Sequence, residues 1–369
     1  MSVSIIHGVN MNTLKIVFLL IAAYVIAISS VNFYLGDLGI YGEYFQSYSW
    51  WKILLYIIAM SHITITAMSL SFHRNHTHKG VKFNSILDAG MQIWLWMVTS
   101  MSKLDWVSVH VYHHAYSDTE KDPHSPVVKG FWRVFLLGVL DYTKAKELEP
   151  VLKIRKTLKT NSLERFIANN LLIGPALLSA FNLVMFGSFW GSILCIINFS
   201  ISPLFAVGGV NALAHMYGYQ NHKSGDNSRN IGFLFPLNFI ICGELDHNNH
   251  HGHPKSCSFR HRWFEFDIGY FYILILQKIG LAKVLNAYTT SNLKEELSIQ
   301  VKALIEKDFR FKKKFEEYCQ ECNVNYQDMM VRVEDYIKGK KGDLNSSMID
   351  FVEEVKRTWR ANARLNLSY

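Results

Sequence analysis

The pattern His-x-x-His-His occurs twice in this chain, at His110, His113 and His114 and again at His247, His250 and His251. No other feature restricts the fold as much. On a helix these positions lie at about 0°, 300° and 40°, so all three imidazoles of a triplet leave one broad face. One triplet could be chance or a single zinc site. Two triplets, with His73 and His78 five residues apart and Asn211 one helical turn before His215, place nine of the sixteen histidines in boxes. One zinc ion takes three or four protein ligands. The expectation is therefore a two-metal centre with an open edge, assembled from distant segments. Imidazole suits zinc, copper, iron and nickel, so ligand type alone does not name the metal. Neutral ligands would leave the ions strongly positive. His73 and His78 are about 140° apart on an α-helix. They are expected to address two metals, or to lie where the helix leaves the membrane and the backbone turns. His76 is read as a bystander.

Apolar clustering supplies the second constraint. Half of the 369 residues are hydrophobic, as in an average soluble domain, so the fraction decides nothing. Residues 13–31 contain one charge, Lys15, and residues 51–72 contain Lys52 and His62. Residues 166–186 and 189–214 contain no charge at all. Each run is near the ~20 residues that cross a bilayer core, and four spanning helices are expected. Residues 13–31 lack the flanking positive cluster and small-residue cleavage site of a signal peptide.

The formal net charge is +8. Residues 34–50 contain no Lys or Arg, whereas residues 73–165 contain many. This asymmetry predicts that the box regions and both termini are cytoplasmic. No aromatic-interleaved basic motif points to nucleic acid. Residues 86–101, with Asp88 and Gln92, are expected to lie in the membrane interface, and residues 131–165 on the cytoplasmic surface. Residues 231–242 are too short to span and read as re-entrant or surface-lying. Residues 260–283 are aromatic-rich and suit interface anchoring.

Asp122, in the loop Asp122-Pro123-His124-Ser125-Pro126, is expected to accept the second N–H of a liganding imidazole, as is Glu244 ahead of the third box. Asp118 and Glu120, in the same loop as Asp122, are weaker candidates. Composition changes at residue 291. Residues 1–290 read as a membrane domain with a cytoplasmic cap, and residues 291–369 as a charged cytoplasmic tail. Helices are expected there at 293–322, 326–337 and 346–362. The five cysteines are odd in number, with one close pair, Cys319 and Cys322, and are read as mostly free thiols.

The stretches His73-Arg74-Asn75-His76-Thr77-His78, His110-Val111-Tyr112-His113-His114, Asn211-Ala212-Leu213-Ala214-His215 and Gly243-Glu244-Leu245-Asp246-His247-Asn248-Asn249-His250-His251 resemble those of the membrane fatty acid desaturases. Asp122-Pro123-His124-Ser125-Pro126 and Trp263-Phe264-Glu265-Phe266-Asp267-Ile268-Gly269 agree as well. The resemblance covers about residues 51–283 and is to bacterial members of this acyl-CoA and acyl-lipid desaturase family. It implies an all-α integral membrane fold, with four transmembrane helices beneath a cytoplasmic helical cap. It implies a di-iron site on His73, His78, His110, His113, His114, His215, His247, His250 and His251, with Asn211 holding a metal through water. It also implies a cis double bond, Δ9 being the first expectation, made in a saturated chain on CoA or phospholipid with O2 and two electrons. Trp106 stands where the family has an aromatic beside the bent acyl channel.

A bacterial inner membrane location follows from the same resemblance. No His-Pro-Gly-Gly haem motif is present. The electron donor is therefore expected to be separate, of ferredoxin or rubredoxin type with an NAD(P)H reductase. Asp246, Val111 and Lys79 depart from residues common at their positions, and none removes a ligand. Two other functions bear weighing. A di-iron fatty acid or alkane hydroxylase would use the same oxidant. A metal transporter would need ionisable residues within its spans, where His62 is the only obvious one. A zinc hydrolase of the His-Glu-x-x-His kind lacks its motif.

Overall fold

The computed structural model of the protein describes residues 50–340 and 344–365. The expected span at 13–31 and nearly all of the loop at 34–50 lie outside the described residues. Within them the chain is mostly helical, as expected, with one two-stranded sheet. It divides into two compact units, residues 1–287 and 288–369.

Among the described residues the first unit begins with helix α1, Trp50–Ala67, which continues as a π-helical stretch, Met68–Thr77. Together they form 28 residues long and apolar enough to cross a membrane. The helix is apolar on its outside: Trp50, Leu54, Leu55, Ile58 and Ile63 are exposed, while Ser61 and Thr64 are buried. The Tyr56 hydroxyl donates to Asn182 Oδ1 at 2.8 Å across to a neighbouring helix. Outward apolar side chains with inward polar pairing suit a hydrocarbon surround, where van der Waals packing and interhelical hydrogen bonds hold helices together.

Strand β1, Val81–Phe83, pairs antiparallel with β2, Ala282–Val284, an element the helical pattern did not announce. Its tight entry depends on Gly80. A Cβ there would meet Cys257 N and Lys255 O at 2.7 Å, both of them backbone atoms. Helix α2, Ser85–Thr99, covers most of the expected interfacial segment and is N-capped by Asn84, whose side chain accepts from Ile86 N. Helix α3, Lys103–Tyr116, carries the second box. The expected surface stretch at 131–165 becomes helices α5 (Phe131–Ala145), α6 (Glu149–Thr157) and the start of α7 (Ser162–Asn169), after the short α4 (Pro126–Lys129).

The expected continuous span at 166–186 is instead two helices, α7 and the first part of α8 (Ile173–Ser202), which meet at 76°. The cause is local. Pro175 has no N–H to offer the Leu171 carbonyl one turn back. The Ser100 hydroxyl donates to that carbonyl at 3.0 Å, and Trp96 Nε1–H donates to the Asn170 carbonyl at 2.9 Å. Gly174 lets Trp96 approach, since a Cβ there would lie 2.7 Å from the indole. The run at 189–214 is divided between the end of α8, beyond a kink at Gly187, and a π-helical stretch, Pro203–Leu213. Among the described residues one helix qualifies as a span, or two if the bent pair counts as one.

Two short helices follow, α9 (Phe235–Ile240) and α10 (His247–Gly252), the latter carrying the third box. Helix α11, Ile268–Lys278, precedes β2. The largest core of this unit joins Leu70, Val81, Val210, Ile241, Leu245, Cys257 and Ile273, so segments far apart in sequence share one apolar centre. Arg74 lies beside it, fully buried. Nε donates to Ser69 Oγ, Nη1 to Cys257 O and Asp267 Oδ2, and Nη2 to Cys242 O and Asp267 Oδ1, all at 2.8–3.1 Å. The guanidinium also sits 3.9 Å over the Phe259 ring.

The second unit contains α12 (Thr290–Lys307), α13 (Phe309–Glu321), α14 (Tyr326–Lys338) and α15 (Ser346–Leu365). These amphipathic helices enclose their own core, including Ile305, Phe315, Met330, Val333 and Phe351. The expected single helix at 293–322 is broken at Asp308, whose carboxylate accepts from Arg310 N at 3.0 Å and caps the next helix. The five cysteines form no disulfide.

Asp267→Asn keeps an acceptor for the cap of α11 but removes the two-pronged partner of the buried Arg74 charge, leaving only Glu244 at 3.9 Å. Removing one partner of a buried pair costs about 3–5 kcal/mol. The expected outcome is a melting midpoint lowered by several degrees in detergent, measured by differential scanning fluorimetry. An unchanged midpoint would show that the pair does not hold the unit together.

Candidate metal centre

The nine box histidines converge into two adjacent groups. His73, His78, His110, His114 and His250 form one, and His113, His215, His247 and His251 the other, with one ligand atom from each residue within 4.8 Å of every other in its group. In the first group, Nε2 atoms approach at 3.0 Å for His73 and His250, 3.2 Å for His78 and His110, 3.1 Å for His110 and His114, and 2.8 Å for His114 and His250. In the second, His247 Nε2 lies 3.1 Å from both His215 Nε2 and His251 Nε2.

Each His-x-x-His-His triplet is shared between the groups, and in opposite senses. His110 and His114, four apart on α3, serve the first group, while His113 turns to the second. His247 and His251, four apart on α10, serve the second, while His250 turns to the first. The single face expected for each triplet is thus wide enough to meet two centres. The first box departs from its α-helical expectation. His73 and His78 point into the same group because the backbone there is π-helical, and His78 N–H donates to His73 O at 3.1 Å. The wider i→i+5 turn brings residues five apart onto one face. Asn211 lies in the second π-helical stretch and lines a cavity with His73, His110 and His247. His76 belongs to neither group and pairs with Asp88 at 2.8 Å.

Carboxylates hold the far nitrogens of four of the rings. Glu244 lies 2.8 Å from His73 Nδ1, Asp122 2.9 Å from His113 Nδ1, Asp118 2.8 Å from His215 Nδ1 and Asp226 2.6 Å from His251 Nδ1. Each acceptor places the ring proton on Nδ1 and leaves the Nε2 lone pair facing inward, as a metal ligand requires. Asp122 and Glu244 stand where the sequence placed them. Asp118 was a weaker candidate and Asp226 was missed, while Glu120 is exposed. The turn at Asp226 carried a faint signal: its carboxylate also accepts from Ser228 N and Ser224 Oγ, the pattern of a polar Asx turn. These four acids place negative charge directly behind the imidazoles.

Electrostatics agree with a ligand set. Burial, and then neighbouring imidazoles, push His78, His110, His114, His247 and His250 well below the ordinary histidine range, so they are neutral. His251 is lowered to about 4 by burial, against the opposing hydrogen bond to Asp226. Burial also opposes charge on His113, but Asp122, together with Asp118 and Asp226, offsets it and raises that ring above its usual value. His113 Nε2 is buried with no hydrogen-bond partner while it faces the second group, as a metal-directed lone pair would. The residues present therefore fit a pair of imidazole-bound ions. Asp246, the departure just before His247, is fully buried and accepts from Asn238 Nδ2 at 3.1 Å. Burial first, and Glu265 next, raise its carboxyl well above the usual range, so it adds no charge beside His247.

Trp106 stacks on His110 with ring centroids 4.7 Å apart and meets His73 edge-on at 5.8 Å. It lines the cavity, whose walls are largely apolar, with Ile65, Met68, Met101, Val139 and Phe205. The cavity reaches histidines of both groups and is also lined by His124 and Tyr142. Such a slot can seat an aliphatic chain beside the metal-directed nitrogens.

Comparison with known proteins points the same way. A family profile described as fatty acid desaturase matches residues 48–267. The Delta-9 acyl-lipid desaturase 2 of Arabidopsis thaliana is 30% identical over 263 residues, covering 69% of this chain and 80% of the relative. The Delta-9 desaturase-like 1 protein of the same plant is 29% identical over 236 residues, 63% of this chain and 76% of the relative. An acyl-CoA C20 Delta5-desaturase of Anemone leveillei is 30% identical over 246 residues, 64% and 74% respectively.

Asp122→Asn should weaken metal retention about 10–100-fold, the usual cost of losing an outer partner of a liganding imidazole. Glu120→Gln, altering an exposed neighbour, should leave it unchanged. Iron per chain, read by inductively coupled plasma mass spectrometry after a chelator wash, checks both. Equal retention in the two variants would remove the role assigned to Asp122.

Proposed function

This chain belongs to the fatty acid desaturase family, and on that premise we propose that it is an oxygen-dependent di-iron desaturase that introduces a cis double bond into a saturated acyl chain. The family makes it a membrane-associated oxidoreductase acting on fatty acyl substrates. Position Δ9 is favoured because several relatives are named Delta-9 desaturases, although one is named a Delta5 enzyme. The acyl group would ride on CoA or on phospholipid. The observation that carries the proposal is the apolar cavity into which ligands of both imidazole groups open.

Two irons would be held by His73, His78, His110, His114 and His250 on one side and His113, His215, His247 and His251 on the other. Asn211 would contact the second through water. The chemistry they supply when bound is oxidative: with dioxygen and two electrons, two hydrogens leave adjacent methylenes and dioxygen becomes water. The protein does the rest. Glu244, Asp122, Asp118 and Asp226 keep protons on Nδ1 and so hold four rings in the liganding tautomer. Trp106, wedged against His73 and His110, narrows the cavity and limits which methylenes face the nitrogens. The apolar wall excludes water from the reacting segment.

Four membrane spans under a cytoplasmic cap, with residues 1–290 as the catalytic domain and 291–369 as a cytoplasmic tail, complete the proposal. The distribution of Lys and Arg supports a cytoplasmic active site and cytoplasmic termini. A bacterial inner membrane is the proposed location. Electrons would come from a separate ferredoxin-type or rubredoxin-type carrier and its NAD(P)H reductase.

Expression in a desaturase-deficient host, followed by mass spectrometry of total fatty acids, tests the activity. New monounsaturated acyl chains are expected, and His113→Ala should reduce them to host background. Hydroxylated chains without alkene would replace desaturation by oxygen insertion. Unsaturation that persists in His113→Ala would overturn the ligand assignment.

A further inference from the structure

A third cluster of imidazoles lies apart from the nine box histidines. His222, His253 and His261 come from three segments of the first unit: the loop after the π-helical stretch, the residue after α10, and the segment before α11. His222 Nε2 lies 2.7 Å from His261 Nδ1. A ring nitrogen of His222 and one of His253 lie within 4.8 Å. Ring centroids are 4.7 Å apart for His222 and His253, 4.9 Å for His222 and His261, and 5.4 Å for His253 and His261. Those spacings fall within the 4.3–6.1 Å found among rings of the first box group. His261 is buried, and His222 and His253 are partly exposed.

The backbone is built to hold it. Asn248 Oδ1 accepts from the N–H groups of Asn221 and His222 at 2.7 and 2.8 Å, and Asn248 Nδ2 donates to His222 O at 2.9 Å. A Cβ at Gly252 would lie 2.6 Å from His222 Cβ, so only glycine admits the ring so close to α10. His261 N–H donates to Glu265 Oε2 at 2.7 Å. Burial, with His222 and His253 beside it, lowers His261 to about 2, which leaves it neutral at pH 7.

We propose that His222, His253 and His261 form a separate binding site for one zinc-class divalent cation. Three imidazoles are a donor set such an ion favours, and tetrahedral coordination would take one further ligand. The hydrogen bond between His222 and His261 gives way to two nitrogen–metal bonds once the donating ring moves its proton to its other nitrogen; the accepting ring already carries its proton there, so no net proton need be released. Bound there, the ion would tie the loop bearing Asp226 to the segment that follows the third box. This would be a structural clamp behind the iron-directed histidines, and it does not require that they hold iron.

The test uses the full chain in detergent, loaded with iron, incubated with zinc and washed with a weak chelator. Metals per chain are then counted by mass spectrometry. The expected result is one zinc per chain in the unaltered protein and in the box variant His113→Ala, with loss of that zinc in His222→Ala and in His261→Gln. Glutamine can keep a hydrogen bond to His222 but is a poor zinc ligand, so zinc loss in His261→Gln at an unchanged melting midpoint identifies a metal role. Zinc retained in both third-cluster variants, or lost only in His113→Ala, would overturn the site, as would no zinc in the unaltered protein.

Discussion

A single buried guanidinium organises the first unit. Arg74 immediately follows the box residue His73, and all five of its N–H donors are directed at acceptors contributed by four separate stretches of chain. Taking an arginine out of water is costly unless its charge is paired and its donors are filled. Asp267 meets both demands with a two-pronged ion pair, and two backbone carbonyls complete the set. A side chain this constrained admits few arrangements of the segments around it. The helix of the first box, the loop before the third and the loop after it are therefore brought to one place, and their histidines with them.

Around that anchor the polar groups are arranged in shells. Imidazoles face inward, and carboxylates stand behind four of them. The arrangement resolves a difficulty of the ligand set, since nine uncharged ligands alone would leave two cations uncompensated in a poorly solvated pocket. The acids supply countercharge at one remove and also select the ring tautomer. Asn248 and Asn249 extend the same logic on the back of α10. Asn248 fixes the loop that carries Asp226, and Asn249 bonds Asn230 and Glu265. The helix of the third box thus presents ligands on one side and an amide lattice on the other.

The cavity has the opposite character. Its apolar walls come from helices whose outer faces are also apolar, as expected of segments surrounded by lipid. An aliphatic chain entering it exchanges one hydrocarbon environment for another, so the free energy of seating it depends chiefly on fit. Trp106, fixed by its contacts with two ligand rings, makes that fit continuous with the metal-directed nitrogens.

What the chain announced by itself was chemistry that repeats. Paired His-x-x-His-His triplets, Asn211 one turn before His215, and long uncharged runs are local patterns that no packing can disguise. From them the helical class, the convergence of the boxes and the placement of Asp122 and Glu244 beside box histidines were legible. Tertiary structure decided what depends on backbone detail or distant contacts. A π-helical turn, which costs only a local widening, carried His73 and His78 to one group although α-helical spacing separated them. Pro175 and the hydroxyl of Ser100, remote in sequence, bent an apolar run that hydropathy showed as continuous. Asp118 and Asp226 became partners of His215 and His251 only through folding, because a carboxylate in a polar loop looks solvated until an imidazole is brought against it. The same holds for His222, His253 and His261, whose spacing in sequence follows no pattern and whose proximity arises solely from packing.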